Sequence, residues 1–269
     1  IEYSRSSSYL RAYFVGLINT IVVAVTGIIL ATIIGVIIGI SRLSQNFLIR
    51  KSAGFYVDLF RNLPLLLQIF FWYYAALRLL PLPQDSTGIY DSFYLTIKGL
   101  YTPALIWENL STFIYVFIFS IIIIIALRFY AKKIQEEKGK QIPIIPISIS
   151  ILIIFPLLTF IFGDVGVNII YPELKELSAT SAMFEGGLEI PPEFLALILA
   201  LSIYTATFIA ECVRAGILGI NKGQKEAAAS IGLNQKQILK LIIMPQALRI
   251  IIPPTTNQYL NLTKNSSLA

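Results

Sequence analysis

Residues 12–41 run for 30 positions without one formal charge, between Arg11 and Arg42, and no other feature constrains this chain so strongly. A run that long and that aliphatic has no place on a water-facing surface, and a helix needs only about 20 such residues to cross a bilayer. Further uncharged stretches cover residues 62–77 (16), 109–127 (19), 141–163 (23) and 194–210 (17). The shorter ones borrow apolar neighbours such as Leu79 and Leu80. The pattern predicts five spans, near residues 13–40, 57–80, 106–130, 143–163 and 195–216. Hydrophobic residues make up 56% of the 269 and charged residues 13%, against about 25% charged in soluble domains, which rules out one soluble core. Polar–apolar alternation of period two is absent, which removes a membrane β-barrel. The expected fold class is an all-α, polytopic membrane protein.

The same sequence removes much of enzyme chemistry. It has no histidine, so His-ligated metals and imidazole acid–base catalysis are excluded, and the single Cys212 allows no internal disulfide or cysteine cluster. The acids nearest membrane depth, Asp58, Glu108 and Glu211, form no paired carboxylate motif. No catalytic residue, metal site or resident cofactor is expected.

Lysine and arginine set the orientation. With the segment after the first span placed on the cytoplasmic side, that side collects Arg42, Arg50, Lys51, Arg61, Arg128, Lys132, Lys133, Lys138, Lys140, Arg214, Lys222, Lys225, Lys236, Lys240 and Arg249, 15 of the 21 basic residues. The outer side holds Arg5, Arg11, Arg78, Lys98 and Lys175, together with Asp85, Asp91, Asp164, Glu173, Glu176, Glu185, Glu189 and Glu193. The net charge of +6 therefore reflects topology, and no nucleic-acid partner is expected. The chain opens on Ile1 in a polar, Ser-rich outer stretch and stops at Ala269, and both ends are expected to be trimmed. The outer segments 81–103 and 164–192 read as loops or short interfacial helices.

The informative segment is the polar, helix-prone stretch 211–254. Asn221-Lys222-Gly223-Gln224 reads as a turn that starts a helix, and Lys225-Glu226-Ala227-Ala228-Ala229-Ser230-Ile231 continues it with a very small side-chain face. Gly232 is expected to end it in a left-handed cap. Asn234 then caps a second helix, with Gln237 at N3 of a capping-box pair, and Pro245 is expected to break that helix. Two or three alanines, presented outward, give a flat surface that another protein's groove can approach closely; the other reading of the stretch is a solvated surface loop.

Glu226-Ala227-Ala228, three residues, Gly232, nine residues, Ile242, one residue, then Met244-Pro245 resembles the EAA…G…I-x-L-P signature of the membrane subunits of binding-protein-dependent ABC importers. Met244 stands where Leu is usual. The polar amino acid branch is resembled by Asn19-Thr20, by Arg61-Asn62-Leu63-Pro64-Leu65-Leu66-Leu67-Gln68 and by Ala210-Glu211 with Arg214-Ala215-Gly216-Ile217. Gly223-Gln224, Pro245-Gln246-Ala247-Leu248-Arg249, Pro253-Pro254 and Lys264-Asn265-Ser266-Ser267-Leu268 complete the set. The similarity covers about residues 10–80 and 195–269.

The resemblance implies a type I importer permease fold in the bacterial inner membrane, with the EAA loop cytoplasmic. Residues 1–80 would hold the first two spans and 191–269 the core with the fifth span and the coupling loop. Residues 81–190, with two spans and outer loops, depart from the short members as an insertion, a layout similar to general L-amino-acid and glutamate/glutamine/aspartate permeases. The implied partners are a dimer of ABC ATPases that carries the ATP and Mg, a sister permease in a heterodimer, a periplasmic amino acid-binding protein and the lipid bilayer. This chain has no G-x-x-x-x-G-K-[ST] phosphate loop and is not expected to hydrolyse ATP. Gly223, Gln224, Glu226, Ala227, Ala228, Gly232 and Pro245 would couple the spans to the ATPase.

Other polar residues carry two readings each. Glu211 with Arg214, and Asp58 with Arg61, sit three apart on helices, spaced for ion pairs that anchor structure or act in a gate. Asn19, Thr20, Gln68 and Thr205, like Tyr204 and Thr207, are helix–helix glue or the lining of an amino acid path. Asn257, with Gln258 and Asn261, follows Pro253-Pro254 and points to a non-helical break facing a cavity. An ion-coupled secondary amino acid transporter or a channel shares the composition but has no need of the EAA helix.

Overall fold

The computed structural model describes residues 8–163, 165–178 and 181–268. Residues 1–7 of the polar outer stretch, including Arg5, together with Asp164, Ala269 and the side chain of Glu176, lie outside what it describes. In chain order the elements are helices α1 (Tyr9–Ser41), α2 (Phe47–Asn62) and α3 (Leu65–Phe70), and strands β1 (Tyr94–Thr96), β2 (Gly99–Thr102) and β3 (Ala104–Glu108). Helices α4 (Leu110–Lys138) and α5 (Ile144–Phe162) follow, then strands β4 (Gly166–Ile170), β5 (Glu173–Ser178), β6 (Ser181–Glu185) and β7 (Leu188–Ile190). Helices α6 (Pro192–Leu218), α7 (Lys222–Ser230), α8 (Gln235–Gln237) and α9 (Met244–Asn265) complete the chain. It divides into two compact units, one within Ile1–Ser86, Leu95–Leu100 and Ile190–Ala269, the other within Thr87–Tyr94 and Tyr101–Glu189.

Among the described residues, five helices are long and apolar enough to cross a membrane: α1, α4, α5, α6 and the helical stretch Gln235–Asn265. The number matches the sequence reading, but the membership does not. The span predicted over residues 57–80 is broken at Leu63 and Pro64. Proline disfavours helical backbone in the residue before it, and Leu63 is extended (φ −88°, ψ 131°). This leaves α2 as a separate helix, capped by the Asn46 carboxamide, which accepts from the Leu48 amide at 2.9 Å. The apolar helix Leu65–Leu79 is shorter than a span and passes through a π-helical turn over Phe71–Ala76.

The last span-length helix, Gln235–Asn265, is not among the predicted spans because its C-terminal part is polar. The break expected behind Pro253 and Pro254 does not occur, and α9 remains helical to Asn265. Membrane helices accommodate proline because neighbouring groups satisfy the freed carbonyls. Pro245 also fails to end its helix. It sits in the first turn of α9, where its missing N–H is no loss, and a π-helical turn over Ile238–Ile243 precedes it.

Within the first unit, α6 lies against α1, α2, α3 and α9. Its contact with α1 follows from residue size. Ala31, Gly35 and Gly39 recur every fourth residue and are all buried, and Gly27, one step earlier in the row, faces Leu262 of α9. Lipid offers no hydrophobic drive for helices to associate, so close backbone approach at small residues supplies the attraction. A Cβ on Gly39 would stand 2.8 Å from the Ala210 carbonyl oxygen. Gly216 plays the same part between α6 and α9, where a Cβ would meet Ile251. Polar ties hold the adjoining seams: Thr32 Oγ1 of α1 donates to the Tyr259 hydroxyl of α9 at 2.9 Å, and the Tyr56 hydroxyl of α2 to the Ile203 carbonyl of α6 at 2.9 Å.

In the second unit α4 packs on α5. Of the outer segments expected as loops or interfacial helices, residues 81–93 are loop and turn with a 3₁₀ turn over Pro83–Asp85, whereas β1, β2 and β4 to β7 are extended. Strand β3 pairs antiparallel with β4, and β5 with β6. Residues 106–109, counted in the third predicted span, lie before α4, three of them in β3, so the helix begins at Leu110. Tyr94 and Tyr101 pack on Phe184 at centroid distances of 4.4 and 4.8 Å. Burial, then the neighbouring Glu189 carboxylate that accepts the Tyr101 hydroxyl at 3.2 Å, pushes the Tyr101 pKa up to about 12.

Candidate functional site: a coupling loop and the inner helix ends

The loop after α6 is built by local capping. The Asn221 carboxamide accepts from the Gly223 amide at 2.9 Å and starts α7. Gly232 ends it with φ +82°, and two hydrogen bonds close the cap: Leu233 N to Ala228 O at 3.2 Å and Gly232 N to Ala229 O at 3.0 Å. This pair is the Schellman pattern, which only a residue tolerant of left-handed backbone completes without strain. The capping box expected at Asn234 is present. Gln237 N donates to Asn234 Oδ1 at 3.0 Å, and Asn234 N to Gln237 Oε1 at 2.9 Å.

Beneath α7 a small cluster of Ile220, Ala228, Ile238, Ile243 and Ala247 fixes it to the ends of α6 and α9. Of the two or three alanines expected to face outward, Ala227 and Ala229 do, whereas Ala228 is 4% exposed and belongs to this cluster. The helical repeat explains it: of three consecutive alanines, only part can share the outer face. Gly223, Gln224, Glu226, Ala227 and Gly232 are exposed, as is Pro245. Ile231, outside the set of coupling residues expected from the sequence, is 76% exposed beside Gly232. An isoleucine between a helix end and its capping glycine was the available signal.

At the inner end of α6, Glu211 takes the pair expected of it and one more. Arg214 Nε donates to Glu211 Oε2 at 3.0 Å, while Arg42 Nη1, just past α1, bonds Glu211 Oε1. All three side chains are only partly accessible, at 18% for Arg42, 24% for Glu211 and 34% for Arg214. No local spacing linked Arg42 to Glu211, since 169 positions separate them. The pair expected between Asp58 and Arg61 is absent among the described residues. Arg61 instead lays its guanidinium over the Phe208 ring of α6, 5.3 Å from the centroid, because a planar cation gains from an aromatic face.

The five polar residues offered as a path take different situations. Gln68 is 3% exposed and donates its amide to the Phe60 and Leu63 carbonyls at 2.8 and 3.1 Å. It thereby satisfies backbone groups freed at the Leu63–Pro64 break, and its Oε1 is buried without a partner. Gln68 also lines an otherwise apolar groove of about 610 Å³ with Leu59, Leu67, Phe71 and Trp72. Thr20 bonds the Gly16 carbonyl of its own helix at 2.8 Å, and Asn19 beside it is half-buried. Thr205 is buried in the middle of α6, whereas Asn257 is exposed on α9. The groove is apolar and does not by itself suit a zwitterion.

Comparison with known proteins gives this geometry a context. The family described as "Binding-protein-dependent transport system inner membrane component" matches residues 140–269. The chain is 46% identical over 270 residues to the General L-amino acid transport system permease protein AapQ of Rhizobium johnstonii, covering 100% of this chain and 66% of that protein. It is 37% identical over 305 residues to the Glutamate/glutamine/aspartate/asparagine transport system permease protein BztB of Rhodobacter capsulatus, covering 100% of this chain and 69% of that one. It thus spans about two thirds of the length of these relatives. A solved structure described as "Crystal structure of an amino acid ABC transporter with histidines" matches 97% of this chain and 71% of its own, with a TM-score of 0.51 and 18% identity. That likeness gives the fold, the type I permease arrangement.

Proposed function

The chain belongs to the family of inner membrane components of binding-protein-dependent transport systems, and from that premise we propose that it moves polar L-amino acids from periplasm to cytoplasm. The observation that carries the reading is α7. This short helix, with Glu226, Ala227 and Ile231 exposed, is held at both ends by caps and from beneath by the Ala228 cluster. A helix so anchored moves as a rigid body with α6 and α9, and that is what transmission of a push from an ATPase requires.

In this proposal a dimer of ABC ATPases binds α7 on the cytoplasmic side and supplies ATP hydrolysis with its own ATP and Mg. The chain contributes motion and no catalysis, so Gly223, Gln224, Glu226, Ala227, Ala228, Gly232 and Pro245 form or support the coupling surface. The lysine and arginine bias supports the cytoplasmic placement. A periplasmic binding protein delivers the solute, and a sister permease closes the path. The apolar groove beside the Leu63–Pro64 break, open along one side of the unit, supports a second membrane subunit. Selectivity for L-amino acids is supported by what the relatives' names describe.

The test is co-purification of the full-length protein expressed with its neighbouring genes, wild type beside Glu226→Arg. An ATPase recovered with the wild type and lost with the variant supports the proposal. If neither form brings down an ATPase, and amino acid uptake persists in ATP-depleted cells, the ion-coupled transporter reading replaces it.

A further inference from the structure

Helix α4 carries a lengthwise stripe that its own packing leaves open. Ser120 and Ala131, the buried residues of this helix, are eleven positions apart and share one face. A different face carries Ile114, Ile118, Ile121, Ile125, Arg128 and Lys132 at spacings of three and four, which sets them in line along the axis. The four isoleucines are 45%, 49%, 39% and 49% exposed, and both cations are exposed.

The lengths are informative. The ten steps from Ile118 to Arg128 rise about 15 Å, half of a hydrocarbon core of about 30 Å. An acyl chain of one leaflet laid along the isoleucines therefore ends where Arg128 and Lys132 stand. These two cations, one turn apart, repel each other on a bare helix. Lys132 reaches Glu136 only at 3.8 Å, in a pair 75% and 66% exposed, and such a pair contributes little. Arg128 has no ion pair among the described residues. Phe129 and Tyr130, 73% and 61% exposed, lie at the same depth, where aromatic residues anchor helices to the headgroup layer.

We propose that this stripe is a binding site for an anionic phospholipid, with the phosphate between Arg128 and Lys132 and one acyl chain on Ile118, Ile121 and Ile125. The charge complementarity is the argument for this occupant: a neutral lipid satisfies the isoleucines but leaves two adjacent cations unneutralised, whereas a headgroup of net negative charge answers both. Lys133, Lys138 and Lys140, near the same helix end, add a diffuse attraction to the anionic leaflet without forming the site. The inference rests on α4 spanning the membrane and is independent of the solute carried.

The test uses the full-length protein with its partner subunits, reconstituted in nanodiscs of phosphatidylcholine with or without phosphatidylglycerol. Lipid that stays bound after release into detergent is counted by native mass spectrometry. Wild type is expected to retain phosphatidylglycerol in preference to phosphatidylcholine. The double variant Arg128→Gln, Lys132→Gln is expected to lose that retention by about tenfold or more. Lys133→Gln, on another face and 3.7 Å from Glu137, is expected to keep it. Equal retention by the double variant overturns the proposal, and so does an equal loss from Lys133→Gln, which would reduce the effect to bulk charge. A photo-crosslinker at Ile121 that captures a partner subunit instead of lipid overturns it as well.

Discussion

Gly35 of α1 lies so close to Ile209 of α6 that a Cβ on the glycine would stand 2.7 Å from the Ile209 Cβ. No real pair of side chains sits at that distance, so the seam between these helices exists only because position 35 has no side chain. Gly35→Leu is expected to lower stability by about 3 kcal/mol or to prevent assembly, and Gly35→Ala to cost about 1–2 kcal/mol. Thermal unfolding of the purified protein in detergent reads both. A Gly16→Ala variant, where a Cβ meets nothing within 4 Å, is the matched control and is expected to melt as wild type does.

Gly232 tests a different property of glycine. A Cβ there meets no atom within 4 Å, so only its φ of +82° resists substitution. Gly232→Ala is expected to cost about 1–2 kcal/mol at the loop, and Gly232→Asn less, because asparagine tolerates left-handed backbone. Hydrogen exchange of the 222–233 amides should rise more in Gly232→Ala than in Gly232→Asn, with the exchange of α1 and α6 unchanged.

Neighbouring alanines on α7 should separate stability from coupling. Ala228 is buried against Ile220, Ile238 and Ile243, whereas Ala227 faces outward. Ala228→Leu is expected to overpack that cluster and cost about 1–3 kcal/mol. Ala227→Leu should leave the melting temperature within about 1 °C while reducing ATPase co-purification by about tenfold, since an exposed substitution changes stability little. A loss of stability at Ala227 with unchanged ATPase recovery would reverse the proposed roles.

Local chemistry explains what could be read from the residues alone. The caps at Asn221, Gly232 and Asn234 involve partners within a few positions, so their side chains predict their geometry. The same holds for the pair Glu211–Arg214, three residues apart. The failures are where distant parts of the chain decide. Pro64 broke a helix that hydropathy alone would continue, because hydropathy does not register the φ/ψ restriction on Leu63. Pro253 and Pro254 did not break theirs, because packing along α6 outweighs a proline's local penalty. Arg61 left Asp58 for Phe208, a ring nearly 150 positions away, and the outer segments became strands only through cross-strand partners that no short window contains.

Arg42, Glu211 and Arg214 give the last prediction, because one carboxylate holds two guanidinium groups and joins the end of α1 to α6. Glu211→Gln removes the charge from both hydrogen bonds and leaves two partly buried cations facing each other, at an expected cost of about 2–3 kcal/mol. Arg42→Met removes one cation and leaves the Glu211–Arg214 bond at 3.0 Å intact, so its cost should be smaller, about 1 kcal/mol. Combining the two substitutions should restore part of the loss, since the double variant no longer confines two cations around a neutral amide. If the three residues act in a gate as well as an anchor, the double variant regains its melting temperature but not its transport. Uptake measured beside thermal unfolding distinguishes these outcomes, and parallel recovery of both quantities would assign the cluster to structure alone.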